Sequence, residues 1–149
     1  MNPHSEQSGA STASRLVAAG AVLFLLGLLT GFVIPEFTNP RMGLASHLEG
    51  VMNGTFLIAL GAAWWRVHLS GRLEAVSFWL LIYGSFANWV FVSLAAALGT
   101  SEMTPIAGAG FQAPALQEQI VSLGLLTVGL TMVVGIGIVV YGLIGRRER

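Results

Sequence analysis

Residues Leu16 to Ile34 read LVAAGAVLFLLGLLTGFVI, a run without a single charge. A helix of about 19 residues, at ~1.5 Å rise each, covers roughly 30 Å, one bilayer hydrocarbon core. The run is too long for the apolar core of a secretory signal. Pro35 and Glu36 follow it, not a small-residue cleavage site. Working outward, three more spans of this kind are predicted, at about 46–68, 75–98 and 118–145. The composition agrees. The 149 residues are 54% hydrophobic and only 9% charged, with mean hydropathy +0.76, whereas soluble domains carry about 25% charged residues. Cysteine is absent, which excludes disulfides, thiolate metal sites and redox thiols. Net charge is zero, with no basic stripe for phosphates, so nucleic acid is excluded as a partner. The expected class is all-α, an integral membrane four-helix bundle of one domain over 15–149, preceded by a disordered polar tail over 1–14.

Orientation follows from arginine. Arg15, Arg66, Arg72, Arg146, Arg147 and Arg149 fall on the side of both termini and Arg41 on the other. Both termini are therefore expected to be cytoplasmic, in a bacterial inner membrane crossed several times. Trp64, Trp65, Trp79 and Tyr141 read as belt residues at the inner interface. Glycines recur at helical spacing: Gly20, Gly27 and Gly31; Gly50, Gly54 and Gly61; Gly124, Gly135 and Gly142. Small residues let helices approach closely in lipid, so these read as packing seams and as faces on which a homo-oligomer can form.

Polar groups inside spans are costly and need a reason. They gather in the outer half. His47 and Glu49 open the second span, and Asn53 lies one turn deeper on the face of Glu49. Asn88 lies near the middle of the third span. Glu118 opens the fourth. This set predicts a polar cavity open to the outer face, walled by Phe56, Phe86 and Trp89 and bordered by Arg41. Each member also has a plainer reading. Ser46-x-x-Glu49 fits a capping box, Glu118 complements a helix dipole, and the asparagines serve as interhelical glue. No metal site is expected, because His47 and Glu49 diverge by about 200° around a helix. No phosphate-cradling loop, Ser-His-acid order or nucleotide motif is present.

The segments Asn39-Pro40-Arg41-Met42-Gly43-Leu44 and Ser46-His47-Leu48-Glu49-Gly50-Val51-Met52-Asn53-Gly54-Thr55 resemble the hydroxylaminobenzene mutase family. Thr104-Pro105-Ile106-Ala107-Gly108 adds a shorter match. The resemblance covers about residues 16–145. It implies an isomerase that turns a small aromatic hydroxylamine into an ortho-aminophenol within nitroarene breakdown. Substrate and product are isomers, so no redox cofactor is implied and none is expected.

That reaction asks for a proton on the departing oxygen, support for a nitrenium-like cation, and delivery of oxygen to the ortho carbon. On this chemistry Glu49 is the acid, Glu118 the counter-charge and His47 a proton shuttle. Asn53 and Asn88 hold the hydroxylamine, while Trp89, Phe86 and Phe56 face the ring and Arg41 folds over the mouth. The competing classes are a small four-span transporter and a membrane anchor subunit. The first usually needs an acid at a span centre, which is missing here. The second leaves the outer polar cluster without a purpose.

Overall fold

The computed structural model describes residues 3–145, with side chains from Ser11 onward, and is all-helical. Met1, Asn2 and the Arg146–Arg149 cluster that enters the orientation argument lie outside the described residues. Four long helices follow one another: α1 (Pro3–Phe32), α2 (Pro40–Ala63), α3 (Gly71–Leu98) and α4 (Ala115–Ile144). Short 3-10 turns follow α1 at Ile34–Glu36 and α2 at Trp64–Arg66. Three helices are long and apolar enough to cross a membrane: Ser11–Phe32 of α1, α3 and α4. At 24 residues α2 is also long, but Arg41, His47, Glu49 and Asn53 set it apart. Apolar side chains point outward on every helix. Phe32 is 82% exposed and Val133 74%, which suits contact with lipid and not with water.

Two boundaries differ from expectation, each for a visible reason. Helix α1 enters the segment expected to be a disordered tail: Thr12 is buried and Ala13 packs on the apolar core. Gly61 of α2 makes room there, since a Cβ on it would lie 2.9 Å from the Ala13 carbonyl oxygen. Helix α2 begins six residues before Ser46. Asn39 Oδ1 accepts the backbone N–H of Arg41 at 3.1 Å and of Met42 at 3.3 Å, with Pro40 at the first helical position. Ser46 and Glu49 therefore lie inside α2, and the capping-box reading of that pair fails.

Glycine sets the helix spacing. A Cβ on Gly27 would lie 2.5 Å from Val51 N, and one on Gly54 would lie 2.5 Å from Phe24 N. Helices α1 and α2 are thus in backbone contact along most of their length. Helix α4 meets α3 less closely, through side chains: Gly124 faces Phe91, Gly84 faces Met132 and Gly135 faces Leu81. Helix α3 joins the two pairs by packing on α2 and, more lightly, on α1. No comparable packing joins α4 to α1 or α2 among the described residues. The glycine faces expected to serve a homo-oligomer are thus largely used within the chain. On α4, Gly129 and Gly137 face open space.

The core has two parts. One joins Leu16, Leu23, Leu57, Trp64, Phe78, Leu81 and Val139; the other joins Met42, Val92, Ala95, Ala96 and Val121. Trp64 belongs to the first, at 3% exposure, and is not a belt residue. Trp65, Trp79 and Tyr141 are exposed as a belt requires.

Gly27→Val should lower thermal stability in detergent by about 1–3 kcal/mol, because a side chain there meets backbone that cannot yield. Gly137→Ala, with nothing within 4 Å, should leave the melting temperature unchanged or raise it slightly. Equal effects of the two would contradict backbone contact between α1 and α2.

Candidate active site

The polar seam between α2 and α3 begins with geometry dictated by the helix. Asn53 follows Glu49 by four residues and so lies above the same face. Its Nδ2 donates to Glu49 Oε2 at 3.1 Å. From α3, Asn88 Nδ2 donates to the same oxygen at 2.6 Å. Two amide donors on one oxygen fix the plane of the carboxyl group. The other oxygen, Oε1, bonds no group among the described residues. One turn toward the loop between α3 and α4, the hydroxyls of Ser46 and Ser93 meet at 2.5 Å, and Ser93 Oγ donates to the Trp89 carbonyl at 2.8 Å. One turn the other way the same antiparallel register brings Ser85 to the level of Asn53. Ser85 is fully buried and its hydroxyl has no hydrogen-bond partner.

The third wall is α1. His47 Nδ1 lies 2.8 Å from the Gly27 carbonyl oxygen. A carbonyl only accepts, so this bond places the imidazole hydrogen on Nδ1 and leaves a lone pair on Nε2 of the neutral ring. Gly31 allows the ring to lie there, since a Cβ on it would be 3.0 Å from Nδ1. Trp89 Nε1 donates to Thr30 Oγ1 at 3.1 Å, and Thr30 Oγ1 donates to the Leu26 carbonyl at 2.8 Å. A Cβ on Gly50 would lie 3.0 Å from Trp89 Cδ1. The indole therefore sits at the junction of α1, α2 and α3. Phe56, Phe86 and Trp89 pack against the core formed by Leu23, Leu57 and Leu81.

Two other expected members serve elsewhere. Glu118 is buried at the start of α4 and binds the loop between α3 and α4. Its Oε1 accepts the N–H of Ser101 at 3.0 Å and of Ala113 at 3.2 Å; its Oε2 accepts the N–H of Glu102 at 3.0 Å. None of its hydrogen bonds reaches Glu49. The Arg41 guanidinium is exposed and donates to the Ala109 carbonyl in the same loop. Asn39 holds that loop from below, donating from Nδ2 to the Ala107 carbonyl at 2.9 Å. Arg41 and Glu118 thus secure the loop between α3 and α4 as a cover at that end of the bundle and do not join the carboxyl cluster. Among the described residues no group of three or more His, Asp or Glu side chains could hold a metal ion. His47 Nε2 is the one imidazole nitrogen in the cluster with an unengaged lone pair.

A profile of the styrene oxide isomerase family matches residues 12–144. The chain belongs to that family. It is also similar to two proteins of Ectopseudomonas oleovorans. Hydroxylaminobenzene mutase HabB is 42% identical over 144 residues, covering 96% of this chain and 88% of the relative. Hydroxylaminobenzene mutase HabA is 46% identical over 108 residues, covering 72% and 80% respectively. No solved structure matches the chain significantly.

The chain is therefore an isomerase, and its buried polar groups can be read as such. An isomerase must return every proton it lends. A carboxyl with one oxygen anchored by two amides and the other unengaged suits that cycle, because it can donate and regain a proton without moving. Sequence reasoning placed Ser85 one turn before Asn88 but missed Thr30 and Ser93. Spacing holds part of the signal, since Ser85, Trp89 and Ser93 follow one another by four residues on α3. It also missed Glu74, which lies buried at the opposite end of the molecule.

Glu118→Ala should loosen the cover by removing the acceptor of several backbone donors. Limited proteolysis should then cut within residues 101–113 markedly faster than in the wild type, with helical circular dichroism unchanged. Unaltered cleavage would mean that the loop is held by Asn39 and Arg41 alone.

Proposed function

We propose that this isomerase rearranges an arylhydroxylamine, Ar–NHOH, to the ortho-aminophenol. The observation that carries the reading is Glu49 Oε2 held by Asn53 and Asn88 inside the helices. The two mutase relatives, each covering most of its own length, supply the substrate class. Glu49, protonated on Oε1, gives its proton to the hydroxylamine oxygen. The N–O bond breaks with its electron pair going to oxygen, and water departs from an aryl nitrenium ion. The carboxylate left behind faces that cation in surroundings poor in water, where the attraction is strong. The same water adds to the ortho carbon and returns a proton to Glu49. Loss of the ring hydrogen at that carbon and gain of one at nitrogen restore aromaticity. Atoms and charge balance, because the product is an isomer.

Trp89, clamped by Thr30, offers a face to the developing ring cation, with Phe86 and Phe56 beside it. The unpartnered Ser85 hydroxyl is available to the N–H or O–H of the substrate. His47, fixed through Nδ1, keeps Nε2 available to accept a proton on the α1 side. Glu118 acts by shaping the cover, in place of the counter-charge role that its position in the sequence suggested. In the membrane, α2 crosses together with the three apolar helices to give four spans. Both termini then lie on the cytoplasmic side of a bacterial inner membrane, as the arginine distribution supports.

Membranes carrying the wild-type protein should form 2-aminophenol from hydroxylaminobenzene. Glu49→Gln keeps an oxygen for the two asparagines, so it should fold while turnover falls by roughly 10²–10⁴, the usual worth of a general acid. No product from the wild type would remove the substrate assignment; full turnover in the variant would remove Glu49 from the chemistry. The topology has its own check. A reporter active only in the periplasm should be silent when fused after Arg149, and a signal there would overturn the four-span orientation.

A further inference from the structure

At the end of the molecule opposite the carboxyl cluster, a cleft of about 200 Å³ opens between the Ser11–Arg15 stretch of α1 and the start of α3. Its wall includes Thr12, Arg15, Glu74, Phe78 and Trp79. Glu74 is 9% exposed, and its Oε1 accepts Trp64 Nε1 at 3.3 Å. Its Oε2 bonds no group among the described residues. Arg15 lies with its guanidinium 4.3 Å from the centre of the Phe78 ring and 5.6 Å from that of Trp79. A cation and a buried anion therefore line one cleft without forming an ion pair with each other. A buried carboxylate without a cation is costly, and a neighbouring guanidinium would ordinarily close on it. Here the aromatic pair holds the guanidinium back and the Trp64 indole holds the carboxyl, so the gap is built.

The cleft also has a definite depth. Gly71, which lines it, begins α3, a helix long and apolar enough to cross a membrane. That is the level of lipid headgroups. The side chain of Trp79 is 60% exposed beside it, as an interfacial tryptophan is.

We propose that this cleft binds the headgroup of a phosphoethanolamine lipid, the phosphate on Arg15 and the ammonium on Glu74 Oε2. The zwitterion supplies one charge for each of the two groups that the cleft leaves without an ion pair. An ammonium donates hydrogen bonds to a carboxylate, which a choline headgroup cannot do. A glycerol headgroup brings only negative charge toward Glu74.

The test is native mass spectrometry of the full chain in detergent with equal amounts of phosphatidylethanolamine, phosphatidylcholine and phosphatidylglycerol of matched acyl chains. The wild type should retain phosphatidylethanolamine about tenfold over the others, the ratio that one charge-assisted hydrogen bond supplies. Arg15→Gln should reduce retention of all three. Glu74→Gln keeps an acceptor for Trp64, so the fold should survive while the preference moves toward phosphatidylglycerol. Equal retention of the three lipids by the wild type, or an unchanged pattern in both variants, would overturn the proposal. Displacement of the lipid by soluble glycerophosphoethanolamine at equal concentration would overturn the assignment to a bilayer lipid.

Discussion

Backbone contact between α1 and α2 is the constraint on which the rest of this structure depends. Glycines at 20, 27, 50 and 54 remove the side chains that would hold the two helices apart. In lipid no hydrophobic force drives helices together, so close approach and the dispersion it permits must do so. The approach has a second consequence. It brings an α1 backbone carbonyl within reach of the His47 ring, and a carbonyl inside a helix is otherwise remote from a neighbour's side chain. It also leaves the Gly50 surface bare, and the Trp89 indole lies there. Orientation of an imidazole and an indole thus follows from the absence of four side chains.

The polar groups are shared out among elements in a way that separates chemistry from architecture. Asn39 Nδ2, the Arg41 guanidinium and the Glu118 carboxylate spend their hydrogen bonds on backbone atoms of the loop between α3 and α4. Asn53 and Asn88 spend theirs on Glu49. Glu118 is the instructive case. Its place near a helix N-terminus invites a purely dipolar reading, but the bonds it makes are to a loop that folds back from α3. An acid holding several N–H groups is a fastener. An acid with one oxygen left over can still engage a further group.

Much of this was legible in the chain. The apolar runs over 75–98 and 118–145 each correspond to a helix within a few residues, and the run over 16–34 lies almost wholly within α1, because nothing competes with the helix for backbone bonds in such segments. The glycine seams were legible for the same reason, since their spacing is that of a helix face. The pairing of Asn53 with Glu49 is local and follows from a four-residue step. Other features escaped because their partners are distant in sequence. The bond from Asn88 to Glu49 depends on the register of α3 against α2, which no single helix encodes. Glu118 meets Ser101 and Ala113 only once the loop is closed. The early start of α2 was hidden by Ser46-Glu49, which resembles a cap, whereas Asn39-Pro40 forms the real one. Glu74 escaped for a simpler reason: it stands just before an uncharged run, where an acid reads as a boundary marker.

The composition of α2 gives the last step. By itself it is the least suited of the four helices to lipid, yet the groups that make it so do not face lipid as free polar atoms. Ser46 meets Ser93, Glu49 meets Asn88, and His47 meets the Gly27 carbonyl. Many of its polar groups find partners on α1 on one side and α3 on the other, so α2 depends on its neighbours more than the apolar helices do. Folding of the site and stability of the bundle are therefore one event. A substitution that removes a partner from α1 or α3 exposes an unpaired polar group on α2, and the cost falls on the fold as well as on the chemistry. The neighbours that bind Glu49 Oε2 are thus also those that make a half-buried carboxyl group tolerable between the helices.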